Sequence, residues 1–300
     1  MRPYRIPLAL SGWLLALCLW LVPQLASAQP VFAWQIRSQT ATLYLLGSLH
    51  AFPPQGYPLP QAVEAAFSLS DYLVVEINPT DLPLPAQQKL FDHYGNLQNG
   101  QRLSDLLSAR DQQRLRQHAQ QLGLDYNAMQ PWQPWRAGTQ LVLADAERQG
   151  FDTTAGIDHY FMRRAGNRQI LALETLESQL QAIAVPDMNI QVANLVSTLD
   201  QMEQDKDFLP CLYQAWRRGD GPAVYRQSEQ EAGDDPRLKA YLDRLNSQRN
   251  AEMADKLIRL LRSSGTFFVV VGALHMPGPD GLLARLNAAN FPSQQLQSPR

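Results

Sequence analysis

Four short runs of apolar, β-branched and aromatic residues punctuate this chain, and each ends on a side chain able to do chemistry. LYLLGSLH closes on His50, LVVE on Glu76, ILALE on Glu174 and FFVVVGALH on His275. The runs themselves, Thr42–Leu46, Tyr72–Val75, Gln169–Leu173 and Thr266–Val271, are short and continuously apolar, which predicts strands covered by helices on both faces. That is the α/β arrangement, and in open sheets of this kind ligands gather at the carboxyl ends of the strands. The order His, Glu, then Glu, His reads as two related halves, each delivering one His and one Glu to a shared edge.

Helical periodicity fills the intervals. Apolar residues at three- and four-residue spacing predict helices over Leu59–Leu69, Leu103–Leu122, Ala137–Gln149 and Ser247–Arg262, with another over His159–Ala165. The stretch 186–244 reads as wholly helical, anchored by Trp216, Tyr225 and Tyr241, and forms an insertion between the third and fourth strands. The expected architecture is therefore α/β: two pseudo-repeated halves, a central mixed sheet flanked by helices, and one helical insertion. Nothing low in complexity divides residues 29–300, so they are expected to form one domain, with only Ser293–Arg300 fraying.

The N-terminus has the layout of a secretory signal. Arg2 and Arg5 precede an apolar run from about Pro7 to Val22, Pro23 breaks it, and Ala26-Ser27-Ala28 is a small-x-small cleavage pattern. The run falls short of the roughly 20 residues that span a bilayer comfortably. Cleavage after Ala28 would give a periplasmic or secreted protein and move the net charge from −2 to −4, since two arginines and no acids leave. Mild acidity argues against a nucleic-acid partner, which needs a basic face. Cys18 lies in the signal, so Cys211 has no internal disulfide partner.

A single Gly-x-x-His is common by chance. Two copies, GSLH at 47–50 and GALH at 272–275, each directly after a buried strand and each followed by a proline (Pro53, Pro277), repeat the context as well as the letters. Gly47 and Gly272 are expected to take positive φ, turning the chain so that His50 and His275 point back over the sheet edge, and to leave room for a ligand. Imidazoles beside carboxylates suit Zn, Mn, Fe or Co rather than Ca. One of Glu76 and Glu174 would then be a metal ligand and the other a general base, with their assignment open. Asp158, in GIDHYF, is either a helix N-cap or a site residue. Arg249 and Asn250 begin the helical run before the GALH strand, where Arg249 is placed to hold an anionic group. His93, His118 and His159 have no partner motif. Trp132, Trp135 and Trp216 are read as packing residues.

The stretch LYLLGSLHAFPPQGYPLPQAVEAAFSLSDYLVVEIN resembles the opening signature of the TraB/GumN family, AGIDHYFMRRAGNRQILALETLESQL its middle block, and RNAEMADKLIRLLRSSGTFFVVVGALHMPGPDGLLARL its closing block. The resemblance runs from about Trp34 to Phe291 and is least distinctive over 186–244. It implies a fold like that of the ChaN and erythromycin-esterase group. It also implies kinship with the Tiki proteins, membrane-tethered metalloproteases that use two GxxH motifs and acidic residues with Mn or Co. By that resemblance His50, Glu76, Glu174 and His275 form the site, with Asp158, Arg249 and Asn250 in support.

The resulting expectation is an exported hydrolase, most readily a peptidase, dependent on a divalent metal, Mn or Co by the resemblance and Zn by donor chemistry. Its partner would be a peptide or protein substrate, with Arg249 stabilising a developing oxyanion. The competing expectation is a non-catalytic binding protein for metal, haem or peptide. Oligomeric state is not legible in the sequence.

Overall fold

The computed structural model describes residues 28–231 and 235–299. The signal reading over 1–28 therefore lies outside the described residues, except for Ala28. Among the described residues no helix is long and apolar enough to cross a membrane.

The four expected strands form: β2 (Ala41–Ser48), β3 (Tyr72–Val75), β4 (Gln169–Ala172) and β5 (Gly265–Gly272). They are mutually parallel, in the order β4-β3-β5-β2. Leu43, Leu45, Leu73, Val269, Val270 and Val271 are sealed from solvent, as a doubly covered parallel sheet requires. The two halves therefore interleave, since each of these four strands has a neighbour from the other half.

Two further strands complete a mixed six-stranded sheet. β1 (Gln29–Arg37) pairs antiparallel with β2, and β6 (Ser293–Ser298) pairs antiparallel with β1 at the edge. The sequence reading did not include β1, whose apolar residues are interrupted by Gln35. Over Ser293–Ser298 the fraying expected of the C-terminal tail is overturned. SQQLQS has no apolar pattern, but an edge strand is held by its backbone ladder and tolerates polar side chains. Gln295 adds bonds from its amide to the carbonyls of Val31 (3.0 Å) and Gly219 (2.6 Å).

The expected helices differ mainly at their ends, and two further helices, Leu84–Gly95 and Leu176–Ile183, lie outside the expected runs. The helix expected over Leu103–Leu122 is two, Leu103–Leu106 and Ala109–Gln121. Ser108 between them has extended backbone, and its hydroxyl caps Asp111 N–H. The region 186–244 is helical as expected, with helices Met188–Gln204, Phe208–Arg217 and Gly221–Glu231. Its last helix, Pro236–Leu261, runs past residue 244 and carries Arg249 and Asn250 as well.

The helical insertion also has a second contributor. Helices from the chain after β3 pack with Met188–Gln204 into a separate apolar cluster that includes Leu103, Leu115, Met129, Leu141, Leu195 and Leu199. The main cluster surrounds the sheet. Trp216 joins the helical layer to the GSLH strand: it is buried, and its indole N–H donates to the Gly47 carbonyl at 2.6 Å. Trp135 is likewise buried and donates to the Tyr94 carbonyl.

Candidate active site

Sheet topology decides what meets what. With parallel strands ordered β4-β3-β5-β2, the residues leaving their carboxyl ends line up as Glu174, Glu76, His275 and His50. Neighbouring strands lie about 4.8 Å apart, so four ends span roughly 14 Å, within reach of long side chains. The ladder continues to the edge, where Glu174 N–H donates to the Glu76 carbonyl at 2.7 Å.

The glycines act through space, and the expectation of positive φ is overturned. Gly272 has φ −52° and ψ 136°, and neither it nor Gly47 is among the positive-φ residues. A Cβ on Gly47 would lie 2.4 Å from the Phe32 ring. A Cβ on Gly272 would lie 3.1 Å from Glu76 Oε1 and 3.5 Å from both His50 Nε2 and His275 Cδ2. Three of the four candidate side chains thus converge on one point above Gly272, which only a residue without a side chain leaves open.

Each imidazole is oriented through Nδ1. His50 Nδ1 meets Asp158 Oδ2 at 2.9 Å, and Ser48 Oγ donates to Asp158 Oδ1 at 2.9 Å. Asp158 is not the N-cap of its helix, Ile157–Arg163. Gly156 holds that position, and Asp158 lies in the first turn. His275 Nδ1 meets Asn250 Oδ1 at 2.7 Å, while Asn250 Nδ2 donates to the Asp280 carbonyl at 3.0 Å. Since the Asn250 amide nitrogen is the donor towards Asp280, its oxygen must accept from His275, so Nδ1 carries that proton and Nε2 keeps its lone pair.

Glu76 and Glu174 are almost fully buried, and Arg249 lies between them. Arg249 donates through Nε to Glu174 Oε1 (2.9 Å) and through Nη2 to Glu174 Oε2 (2.6 Å), a fork that occupies both oxygens. The same Nη2 reaches Glu76 Oε2 at a longer 3.2 Å. Glu76 Oε1 accepts from Gly272 N–H at 2.5 Å and lies 3.9 Å from His275 Nε2. The glutamates are therefore unequal: Glu174 anchors the guanidinium, and Glu76 faces the histidines.

Electrostatics separates the histidines as well. The Asp158 carboxylate raises His50 to about 9, against the smaller effect of desolvation. Burial pushes His275 below the usual imidazole range. Burial alone would push Glu76 up, but His275, His50, Arg249 and the Gly272 N–H together hold it down. Asp158 is held down in the same way by His50 and Ser48.

A divalent metal fits this donor set in kind. Both Nδ1 atoms are taken by outer partners, the arrangement that metal-binding imidazoles show; His50 Nε2 borders the point above Gly272, and His275 Nε2 lies 3.9 Å from Glu76 Oε1. Three carboxylates stand against two cations, since the Arg249 guanidinium meets Glu76 and Glu174 and the His50 ring pairs with Asp158, so the site keeps surplus negative charge that a dication would offset. The cage is not closed, however. Among the described residues no group of three or more His, Cys, Asp or Glu is already gathered tightly enough to hold a metal ion.

Sequence reasoning missed two participants, Ser48 and Gln179. Ser48 is the second letter of GSLH, and a buried hydroxyl within a site motif was a usable signal. Gln179, whose amide donates to Glu76 Oε2 at 3.2 Å, sits in ordinary helical sequence and gave none. His93 and His118 lie away from the strand ends, His118 bonding Glu203 on the helical layer.

Fold and site together define a class: a mixed-sheet α/β protein with two histidines and two glutamates at adjacent parallel strand ends, bridged by an arginine. The chain matches the TraB/PrgY/gumN family over residues 32–295 and belongs to it. Among its relatives are an uncharacterised protein of Treponema pallidum (strain Nichols), 23% identical over 275 residues covering 87% of this chain and 81% of that one, and the uncharacterised protein YbaP of Escherichia coli (strain K12), 24% identical over 242 residues covering 80% and 85%. No solved structure matches it.

Proposed function

We propose that this chain is an exported, metal-dependent hydrolase acting on peptide or protein substrates. The observation that carries the reading is the pair of oppositely anchored imidazoles. Asp158 and Asn250 hold the Nδ1 atoms, leaving the outer ring edges at the point above Gly272, where His50 Nε2 and His275 Cδ2 border it and His275 Nε2 lies 3.9 Å from Glu76 Oε1. His50, His275 and Glu76 would hold the ion, with Mn or Co favoured by the family resemblance and Zn compatible with the donors. A divalent ion there would supply Lewis acidity, polarising a carbonyl and lowering the pKa of water to about 7.

The chain's own residues account for the rest. Glu174 holds Arg249 by a two-point bond, leaving the guanidinium Nη1 edge as a fixed donor for charge developing on a substrate oxygen. Asp158, anchored by Ser48, holds His50 in one ring orientation. The exposed His50 side chain places the open side of the site towards solvent, where a polypeptide can approach. Export rests on the basic, apolar and small-residue pattern of residues 1–28.

The test is a peptide-library digest read by mass spectrometry, with and without Mn, alongside calorimetry with Mn, Co and Zn. Cleavage that EDTA abolishes, with metal affinity lost in His50→Ala and His275→Ala, is the expected result. Absence of divalent binding, with ligand affinities untouched in both variants, would sink the reading. Export is checked separately by sequencing the N-terminus of protein recovered from a periplasmic fraction, which should begin at Gln29.

The unclosed cage and the 65% exposure of the His50 side chain favour a second reading, a binding protein for metal, haem or peptide without catalysis. A Soret band on adding haemin, unaccompanied by metal-stimulated cleavage, would select it.

A further inference from the structure

Glu76 carries two oxygens with opposite duties. Oε1 faces His275 and the point above Gly272. Oε2 faces away, towards Arg249 and Gln179. Rotation about the last side-chain bond of a glutamate is soft and roughly two-fold, so the carboxylate keeps one orientation only if both oxygens are held. Gly272 N–H holds Oε1 at 2.5 Å. On the other side Arg249 is a weak holder, because its Nη2 sits 2.6 Å from Glu174 and 3.2 Å from Glu76. Gln179 Nε2 reaches Oε2 at the same 3.2 Å, and no other side-chain bond of Gln179 competes among the described residues.

We infer that Gln179 is a positioning residue of this site, pinning Glu76 Oε2 so that Oε1 is the oxygen presented to His50 and His275. Local structure suits the task. Thr175 and Ser178 form a reciprocal cap at the start of helix Leu176–Ile183, immediately after Glu174. The segment that anchors Arg249 therefore also delivers Gln179, five residues later and one turn into the helix. The opposite side of that helix is fastened through Glu177 and Gln181 to the Tyr94 hydroxyl. A neutral amide suits the position. A carboxylate would repel Glu76, and an ammonium would compete with Arg249 for both glutamates.

The inference rests on the reading that Glu76 works with the two histidines, and its test separates the two. Gln179→Met keeps the length and removes the donor, whereas Gln179→Glu keeps the shape and reverses the polarity. Gln181→Met, on the outer side of the helix, is the control. The first readout is the imidazole nitrogen spectrum of the metal-free protein by NMR, and the second is Mn affinity by calorimetry.

Gln179→Met should shift the His275 and His50 ring signals and weaken Mn binding about tenfold, the scale of an outer-shell loss. Gln179→Glu should weaken it further, and Gln181→Met should do neither. Gln179→Asn, too short to reach, should behave like Gln179→Met, which keeps the test valid if one variant misfolds. Unchanged ring signals and Mn affinity within twofold in both Gln179→Met and Gln179→Glu, while Glu76→Gln alters both, would overturn the role of Gln179 alone. If Glu76→Gln also changes nothing, the underlying reading of the site falls, and this inference with it.

Discussion

Gly272 donates its backbone N–H to Glu76 Oε1 at 2.5 Å, and a Cβ on the same residue would sit 3.1 Å from that oxygen. The residue thus holds the carboxylate and keeps the space in front of it open. Neither duty involves the positive φ for which glycine is usually chosen.

Gly272→Ala is therefore expected to fold. Its backbone angles suit any residue, so the thermal midpoint should fall by only a few degrees, the scale of about 1 kcal/mol. The methyl group would nevertheless enter the point bordered by His50, Glu76 and His275. Mn affinity and any hydrolytic activity should drop at least tenfold, measured by calorimetry and by peptide cleavage.

Gly47→Ala should behave in the reverse way. Its methyl would press on the buried Phe32 ring, away from the ligand side of the site. Overpacking of this kind costs about 1–3 kcal/mol, readable by urea unfolding. Phe32→Leu in the same chain should recover part of it.

Arg249→Met removes the cation between two buried carboxylates. Breaking a buried ion pair by removing one partner costs about 3–5 kcal/mol, so a large loss of stability is expected at neutral pH. Glu174→Gln added to Arg249→Met should restore some of it, because one of the two stranded charges is then gone. Denaturant unfolding of the single and double variants checks this.

His50 should titrate near pH 9 in the metal-free protein, because Asp158 favours its cationic form. The sign follows from a folded value above the ordinary 6.5. Stability from the His50–Asp158 pair is fully present below about pH 6.5 and is lost as pH rises through about 9. Exposure of the His50 side chain keeps that contribution small. NMR titration of the ring should give the value directly, and Asp158→Asn should return it towards the ordinary range. A titration midpoint near 6.5 in the unsubstituted protein would contradict the pairing.

Trp216→Phe tests how the helical layer is fastened to the GSLH strand. It deletes the 2.6 Å bond to the Gly47 carbonyl and leaves that acceptor buried. A loss of about 1–3 kcal/mol is expected, with amide exchange speeding up first at Gly47 and its neighbours by hydrogen–deuterium exchange.

Legibility in the sequence followed from how local each signal was. His50, Glu76, Glu174 and His275 were all readable because each ends a run apolar enough to be a doubly covered strand, and strand ends are where such sheets present chemistry. β1 and β6 were not readable as strands. Their pairing is a backbone matter between residues more than 250 positions apart, and SQQLQS carries no side-chain pattern to announce it. Asp158, Arg249 and Asn250 stood as supporting residues, but their partners emerged only in three dimensions.

By itself the sequence set His50, Glu76, Glu174 and His275 at the ends of four apolar runs short enough to be strands buried on both faces. That those strands run parallel, so that all four side chains leave the sheet on one side, was decided by the tertiary pairing. Only the tertiary structure decided that the two halves interleave, which places the glutamates beside each other and the histidines beside each other. Only it decided that Arg249 belongs chiefly to Glu174, that the Gln179 amide meets Glu76 Oε2, and that the glycines serve by their missing side chains. Those outcomes depend on strand order and on distances of a few ångströms between remote residues, and a linear pattern of apolar and polar letters encodes neither directly.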